Sequence, residues 1–133
     1  VVEQFRNELN KLSLPEGISS RINVYPHGTW LRRYEEGLEN ARNKIIIVDE
    51  AHKFKGIYKT SKAGKEISKY ARILSEAAKE SHKIMLLTAT PLENSIEEIT
   101  NYVAIANGLN LKDEYKKMKS KFKKTKGAII NDY

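Results

Sequence analysis

The 133-residue sequence contains no cysteine, which excludes disulfides, thiolate metal sites and cysteine nucleophiles at once. It has three histidines, at 27, 52 and 82, and their wide spacing matches no metal-ligand pattern. Proline and glycine are also scarce, at 3 and 7 residues, which argues against a low-complexity or collagen-like chain. No apolar run approaches the length of roughly 20 residues that a spanning helix needs. Nor does the chain open on an apolar stretch with a small-residue cleavage site. The expected setting is therefore intracellular and soluble, in cytoplasm or nucleus. An initiating methionine is missing too. Val1 opens directly into a helical pattern, and the expectation is a chain that begins inside a longer protein.

What is present suits a single globular domain. The composition is 40% hydrophobic and 31% charged, and a chain of this size buries roughly two thirds of the surface its unfolded form exposes. The formal net charge is +7 and unevenly placed. Lys112 to Lys126 holds eight lysines against Asp113 and Glu114, a net of +6, while the remainder is nearly balanced. Such a run suits a polyanion through counterion release, although a lysine-rich helix face is more often simply solvated.

Apolar spacing organises the chain. Val2, Phe5, Leu9 and Leu12 recur at helical intervals, and Pro15-Glu16-Gly17 then reads as a turn. Ile22 to Tyr25 is a short β-prone run stopped by Pro26 and Gly28, and Leu31, Tyr34 and Leu38 trace a second helix. Ile45-Ile46-Ile47-Val48 has the pattern of a strand covered on both faces, as in a parallel sheet. A helical stripe follows in Ile67, Tyr70, Ala71, Leu74, Ala77 and Ala78, and then a second buried run from Ile84 to Leu87. Strand, crossover helix and strand make a βαβ unit, whose parallel strands end on one edge. Beyond Pro91, Ser95 to Glu98 fits a capping box, with Ile96, Ile99, Val103 and Ala106 as the apolar stripe and Asn107-Gly108 as a left-handed end.

Polar chemistry begins where each strand stops. Asp49-Glu50 follows the first and Thr88-Ala89-Thr90 the second, so the βαβ geometry makes them neighbours in the crevice where open α/β sheets bind ligands. A strand tip holds two carboxylates on rigid backbone. Asp49 suits a hard cation such as Mg²⁺, and Glu50 suits orienting or deprotonating an attacking water.

These residues carry a resemblance. Ile46-Ile47-Val48-Asp49-Glu50-Ala51-His52 resembles motif II of the DEAH-type superfamily 2 helicases. Leu86-Leu87-Thr88-Ala89-Thr90-Pro91-Leu92-Glu93-Asn94-Ser95 resembles their motif III in the longer form of the Snf2-like branch, which includes nucleoside triphosphatases of large DNA viruses. Lys53-Phe54-Lys55 and Ile96-Glu97-Glu98-Ile99 add to the likeness, which covers about residues 44 to 107. It implies an ATPase with ATP and Mg²⁺ as cofactors. Asp49 would be the metal ligand, Asp49 and Glu50 the catalytic pair, and His52, Thr88 and Thr90 would couple hydrolysis to movement. It also implies nucleic acid as partner, DNA before RNA, together with the remainder of the motor: a phosphate-binding region and a second RecA-like domain. Thr29, Arg32 and Arg33 fall where the family has a nucleic-acid-contacting strand end.

Plainer readings stand beside these. His52 also reads as a loop histidine, Thr88 and Thr90 as hydroxyl caps, Ser95 as structural, and Trp30 as core. Gly64-Lys65 is no Walker A loop, since position 59 is Lys and position 66 is Glu. The expected fold is α/β, a partial RecA-like domain of the P-loop NTPase type, with a parallel sheet flanked by helices. Residues 1–108 would be part of the first motor domain, and 109–133 a basic helical extension. The expected function is a fragment of an ATP-dependent helicase or translocase, inactive by itself for want of the phosphate loop. The alternative is a non-catalytic nucleic-acid-binding module with a motor-like fold.

Overall fold

A computed structural model describes residues 1–54, 59–61, 64–66, 69–91 and 97–109, together with Asp113, Lys117 and Ser120. The chain divides into two compact units, Val1–Glu39 and Asn40–Tyr133. It is mixed α and β, and no helix among the described residues is long and apolar enough to cross a membrane.

The first unit holds three helices: α1 (Val2–Lys11), α2 (Glu16–Ser19) and α3 (His27–Glu35). The stripe expected on α1 exists as a helix but buries no residue; Val2 and Leu9 are half-buried, while Phe5 and Leu12 are exposed. Pro15-Glu16-Gly17, expected as a turn, instead opens one helical turn over Glu16–Ser19, and Ile22 to Tyr25, expected as a strand, is irregular. A run of β-prone residues becomes a strand only where a second strand takes up its backbone groups, and no pairing partner is described for this one. Leu31 is the buried residue of α3; Leu38 lies beyond the helix and is exposed. Trp30, expected in the core, is half-buried and stacks on Tyr34 with ring centroids 5.3 Å apart.

The second unit is built on β1 (Ile45–Val48) and β4 (Lys83–Leu86), which pair in parallel with Ile46 opposite Ile84 and Val48 opposite Leu86. Between them run a 3-10 turn (Ala51–Phe54), the strands β2 (Lys59–Ser61) and β3 (Gly64–Glu66), and the helix α4 (Lys69–Glu80). The expected βαβ unit is present. The crossover also contains an antiparallel hairpin, Lys59 opposite Glu66 and Ser61 opposite Gly64, that the apolar spacing did not suggest. Gly64-Lys65 therefore lies in a strand rather than in a loop opening a helix.

The start of the parallel pair is pinned by Glu80 at the end of α4. Its Oε1 meets Arg42 Nε at 3.1 Å and its Oε2 accepts the Ala41 amide at 3.3 Å. The His82 amide donates to Lys44 O at 2.9 Å, so β4 starts level with β1.

The core lies on one face of this sheet. Val48 and Ile84 are buried with Ala71, Ile73, Leu74, Ala77 and Ala78 of α4, while Tyr70, expected in that stripe, is exposed. The helix α5 (Glu97–Ala106) packs against β4 and α4. Here two expectations are corrected. Ile45 and Ile47 are 64% and 59% exposed and Met85 and Leu87 are exposed as well, so the opposite sheet face is open rather than covered. Consecutive β-branched residues report strand preference; cover on the second face depends on further elements, and none among the described residues supplies it. In α5 the buried residues are Glu98, Asn101, Ala104 and Ile105, while Ile99, Val103 and Ala106 are exposed. The segment from Ile99 to Ala106 is apolar almost all round, so spacing alone could not choose its inner face.

The end of α5 follows expectation. Gly108 is left-handed at φ 62°, and Leu109 N reaches Ala104 O at 2.9 Å in a Schellman arrangement. A Cβ at Gly108 would stand 3.4–3.5 Å from Lys79, an ordinary contact distance, so the positive φ rather than space favours glycine here. The capping box at Ser95, Ile67, and most of the lysine-rich extension, Lys112 and Lys126 included, lie outside the described residues.

Candidate functional site

Two backbone hydrogen bonds extend the β1–β4 pairing past the strand ends. The Leu87 amide donates to Val48 O at 2.9 Å, and the Ala51 amide donates to Leu87 O at 2.8 Å. They hold the turn carrying Asp49, Glu50 and His52 beside the turn carrying Thr88 and Thr90. The neighbourhood expected of the two strand tips is thus present in the second unit.

The acidic turn is sharp. Among the described residues Glu50 is one of three non-glycine residues with positive φ, at 52°, a region that costs a side chain of this kind about 1 kcal/mol or more. Two bonds fix that conformation: the Glu50 amide donates to Asp49 Oδ1 at 3.0 Å, and the Lys53 amide donates to Glu50 O at 3.1 Å, opening the 3-10 turn. Ala51 and Phe54 are buried beneath it. The result leaves Asp49 half-buried and Glu50 exposed at the sheet edge.

His52 bridges the two turns. Its Nδ1 lies 3.0 Å from Glu50 Oε2 and 3.4 Å from Thr88 Oγ1. Thr88 Oγ1 in turn accepts the Thr90 amide at 3.1 Å, closing a hydroxyl-capped turn. Thr88 therefore caps its own turn rather than the helix that follows, and its hydroxyl lies beside the acidic loop. Thr90 is exposed and bonds to Thr88 through its amide. The contact of Glu50 with His52 was not foreseen. Residues two apart lie on different sides of a helix and roughly 7 Å apart along one face of a strand, and here the contact forms across a turn in which Glu50 is left-handed.

Among the described residues no group of three or more His, Asp or Glu side chains is placed to hold a metal ion. Magnesium asks for less, since it commonly takes one or two carboxylates and completes its shell with waters and substrate phosphates. Asp49 fits that mode, with Oδ1 engaged by one amide at the tip of a rigid strand.

Thr29, Arg32 and Arg33 belong to the first unit. Arg32 is exposed and Thr29 half-buried. Arg33 is engaged locally, 3.6 Å from Glu39 Oε1 and 6.0 Å from the Tyr25 ring centre; Tyr25 in turn donates its hydroxyl to Glu39 at 3.0 Å. A groove of about 360 Å³ in the same unit, bordered by Arg6, Asn10, Ile22 and Tyr25, contains none of the three.

Comparison with known proteins finds similarity to viral nucleoside triphosphatases. Residues of this chain align with a nucleoside triphosphatase I of Choristoneura fumiferana entomopoxvirus at 31% identity over 88 residues, 63% of this chain and 14% of that protein. The nucleoside triphosphatase I of Heliothis armigera entomopoxvirus is 29% identical over 98 residues, 71% of this chain and again 14% of the relative. That of Amsacta moorei entomopoxvirus is 31% identical over 88 residues. The chain is similar to viral nucleoside triphosphatases. It spans about a seventh of their length. No family model matches the chain, and no solved structure matches it significantly.

Proposed function

We propose that this chain supplies the metal-binding and water-activating loop of a nucleoside triphosphatase motor of superfamily 2, within a partial RecA-like domain of the Snf2-like branch. The observation that carries the reading is the pair of bonds between Val48, Leu87 and Ala51, which set Asp49-Glu50-His52 beside Thr88-Ala89-Thr90 at one edge of a parallel pair. The similarity to proteins named nucleoside triphosphatase I supports the reaction class.

In this reading Asp49 is the carboxylate that would hold Mg²⁺, and the ion's contribution is to neutralise charge on the nucleotide phosphates. Glu50 positions the attacking water and takes its proton, for which its exposure at the sheet edge leaves room. His52 and Thr88 join the two turns, so a shift in one is felt in the other. ATP is the expected nucleotide, held by a phosphate-binding region supplied elsewhere in the motor. Nucleic acid, DNA before RNA, is the track, and Thr29, Arg32 and Arg33 are the contacts this chain would lend to it.

The test is nucleotide hydrolysis by the full-length polypeptide. Glu50→Gln should lower kcat by about 100-fold or more while nucleotide affinity is kept, the range expected for losing a general base. Hydrolysis that survives this substitution, or a wild-type rate indifferent to nucleic acid, would count against the motor. Salt-sensitive nucleic-acid binding with no nucleotide turnover would favour the non-catalytic module instead.

A further inference from the structure

Among residues 49–54 the one large side chain that goes inward is Phe54, 4% exposed at the last position of the 3-10 turn. Ala51, at the first position, is 1% exposed. Side chains three apart on a 3-10 turn stand one above the other, so Ala51 and Phe54 share a single inward face. With that face inward, the residues between them turn elsewhere: His52 is half-buried beside Glu50, and Lys53 is in solvent. The burial of Phe54 thus fixes the rotation of the turn about its own axis.

Such a hold has something to oppose. Glu50 sits at φ 52°, a conformation that a glutamate leaves unless its surroundings forbid it. The backbone bonds from the Ala51 amide to Leu87 and from the Lys53 amide to Glu50 have little net worth, because water replaces them when the turn opens. A buried phenyl ring has no such substitute in water, so its burial is the larger contribution.

We propose that Phe54 is a positioning residue for Glu50: its ring, buried beneath the acidic turn, is the anchor that keeps Glu50 left-handed and its carboxylate at the sheet edge. Ala51 is too small to hold the turn by itself, so losing the ring frees it. The ring acts only through the backbone of the turn. The consequence for hydrolysis rests on the reading of Glu50 as the water-activating carboxylate; the anchoring does not.

Amide hydrogen exchange and nucleotide hydrolysis of the full-length polypeptide test it, with Leu74→Ala, a buried position of α4, as the control for lost packing. Phe54→Ala should speed exchange of the Ala51 and Lys53 amides about tenfold or more, while the amides of α4 change by less than about twofold. Leu74→Ala should speed the amides of α4 more than those of the turn. Equal acceleration of turn and helix in Phe54→Ala, or an unchanged turn, would overturn the proposal. If the alanine variant fails to fold, Phe54→Leu and Phe54→Val carry the test: turn exchange should rise in that order with α4 steady, and no such order would overturn it as well. In hydrolysis, Phe54→Ala should lower kcat about tenfold or more with KM little changed, and Phe54→Leu should restore most of the rate. Leu74→Ala should keep kcat within about twofold of wild type, and equal losses in the Phe54 and Leu74 variants would refute a positioning role. Should exchange respond as expected while Glu50→Gln leaves hydrolysis intact, the anchor stands and the motor reading falls. An unresponsive turn in a protein that Glu50→Gln inactivates sinks the anchor alone.

Discussion

At the scale of single residues, Glu50 is where stability and chemistry pull apart. Its backbone occupies the left-handed region at φ 52°, which glycine adopts without steric cost. Glu50→Gly should therefore leave the chain as stable as wild type or more stable by up to about 1 kcal/mol in denaturant unfolding, while removing the carboxylate proposed to activate water. A loss of stability in that variant would mean that the contact with His52 outweighs the strain. Tyr102 poses the converse case. Its hydroxyl is buried with no partner among the described residues, and burial, then the Glu98 carboxylate, raise its pKa above the ordinary 10.0. Tyr102→Phe should be neutral or stabilising at pH 7, by up to about 1 kcal/mol, because it removes an unsatisfied group. The pH dependence has a definite sign. A pKa raised in the folded state contributes stability in full below pH 10, and that contribution is lost as pH rises through the folded value. The wild type should thus lose stability above pH 10 more steeply than Tyr102→Phe, as read from unfolding midpoints on the alkaline limb.

At the scale of elements, the termini that sequence marks strongly were legible and the faces of apolar helices were not. Asn107-Gly108 announced the end of α5, and Gly108 adopts the required positive φ with Lys79 close by. Gly108→Ala should cost about 1–2 kcal/mol, the left-handed penalty, and a cost near zero would show that the helix end can shift. The orientation of α5 was misjudged because Ile99, Val103 and Ile105 offer apolar surface on several sides. Only packing against α4 and β4 decided that Ala104 and Ile105 go inward with Glu98 and Asn101. The β2–β3 hairpin left no apolar alternation in the sequence. Its strands are three residues long and rich in Lys, Thr and Ser, below what periodicity can register.

At the scale of the molecule, the second unit has one packed sheet face and one open face. Ile45, Ile47, Met85 and Leu87 lie exposed at adjacent positions of the parallel pair, an apolar surface that water ordinarily disfavours. Ile47→Thr should change unfolding stability by less than about 0.5 kcal/mol, as exposed positions do, and should reduce self-association at high concentration. Leu74→Ala, on the packed side, should cost about 2–5 kcal/mol. Similar costs for the two substitutions would show that the open face is covered in solution.

The sequence alone determined that β1 and β4 would be strands joined through a crossover helix, since β-branched runs and a helical stripe encode local geometry that survives in any context. It also placed Asp49, Glu50, Thr88 and Thr90 at strand ends, because polar residues that interrupt a buried run mark where the run must stop. Only the tertiary structure decided which sheet face is packed, which side of α5 is buried, and that His52 stands between Glu50 and Thr88. Those depend on how distant segments meet and on one left-handed turn, and neither leaves a periodic trace along the chain.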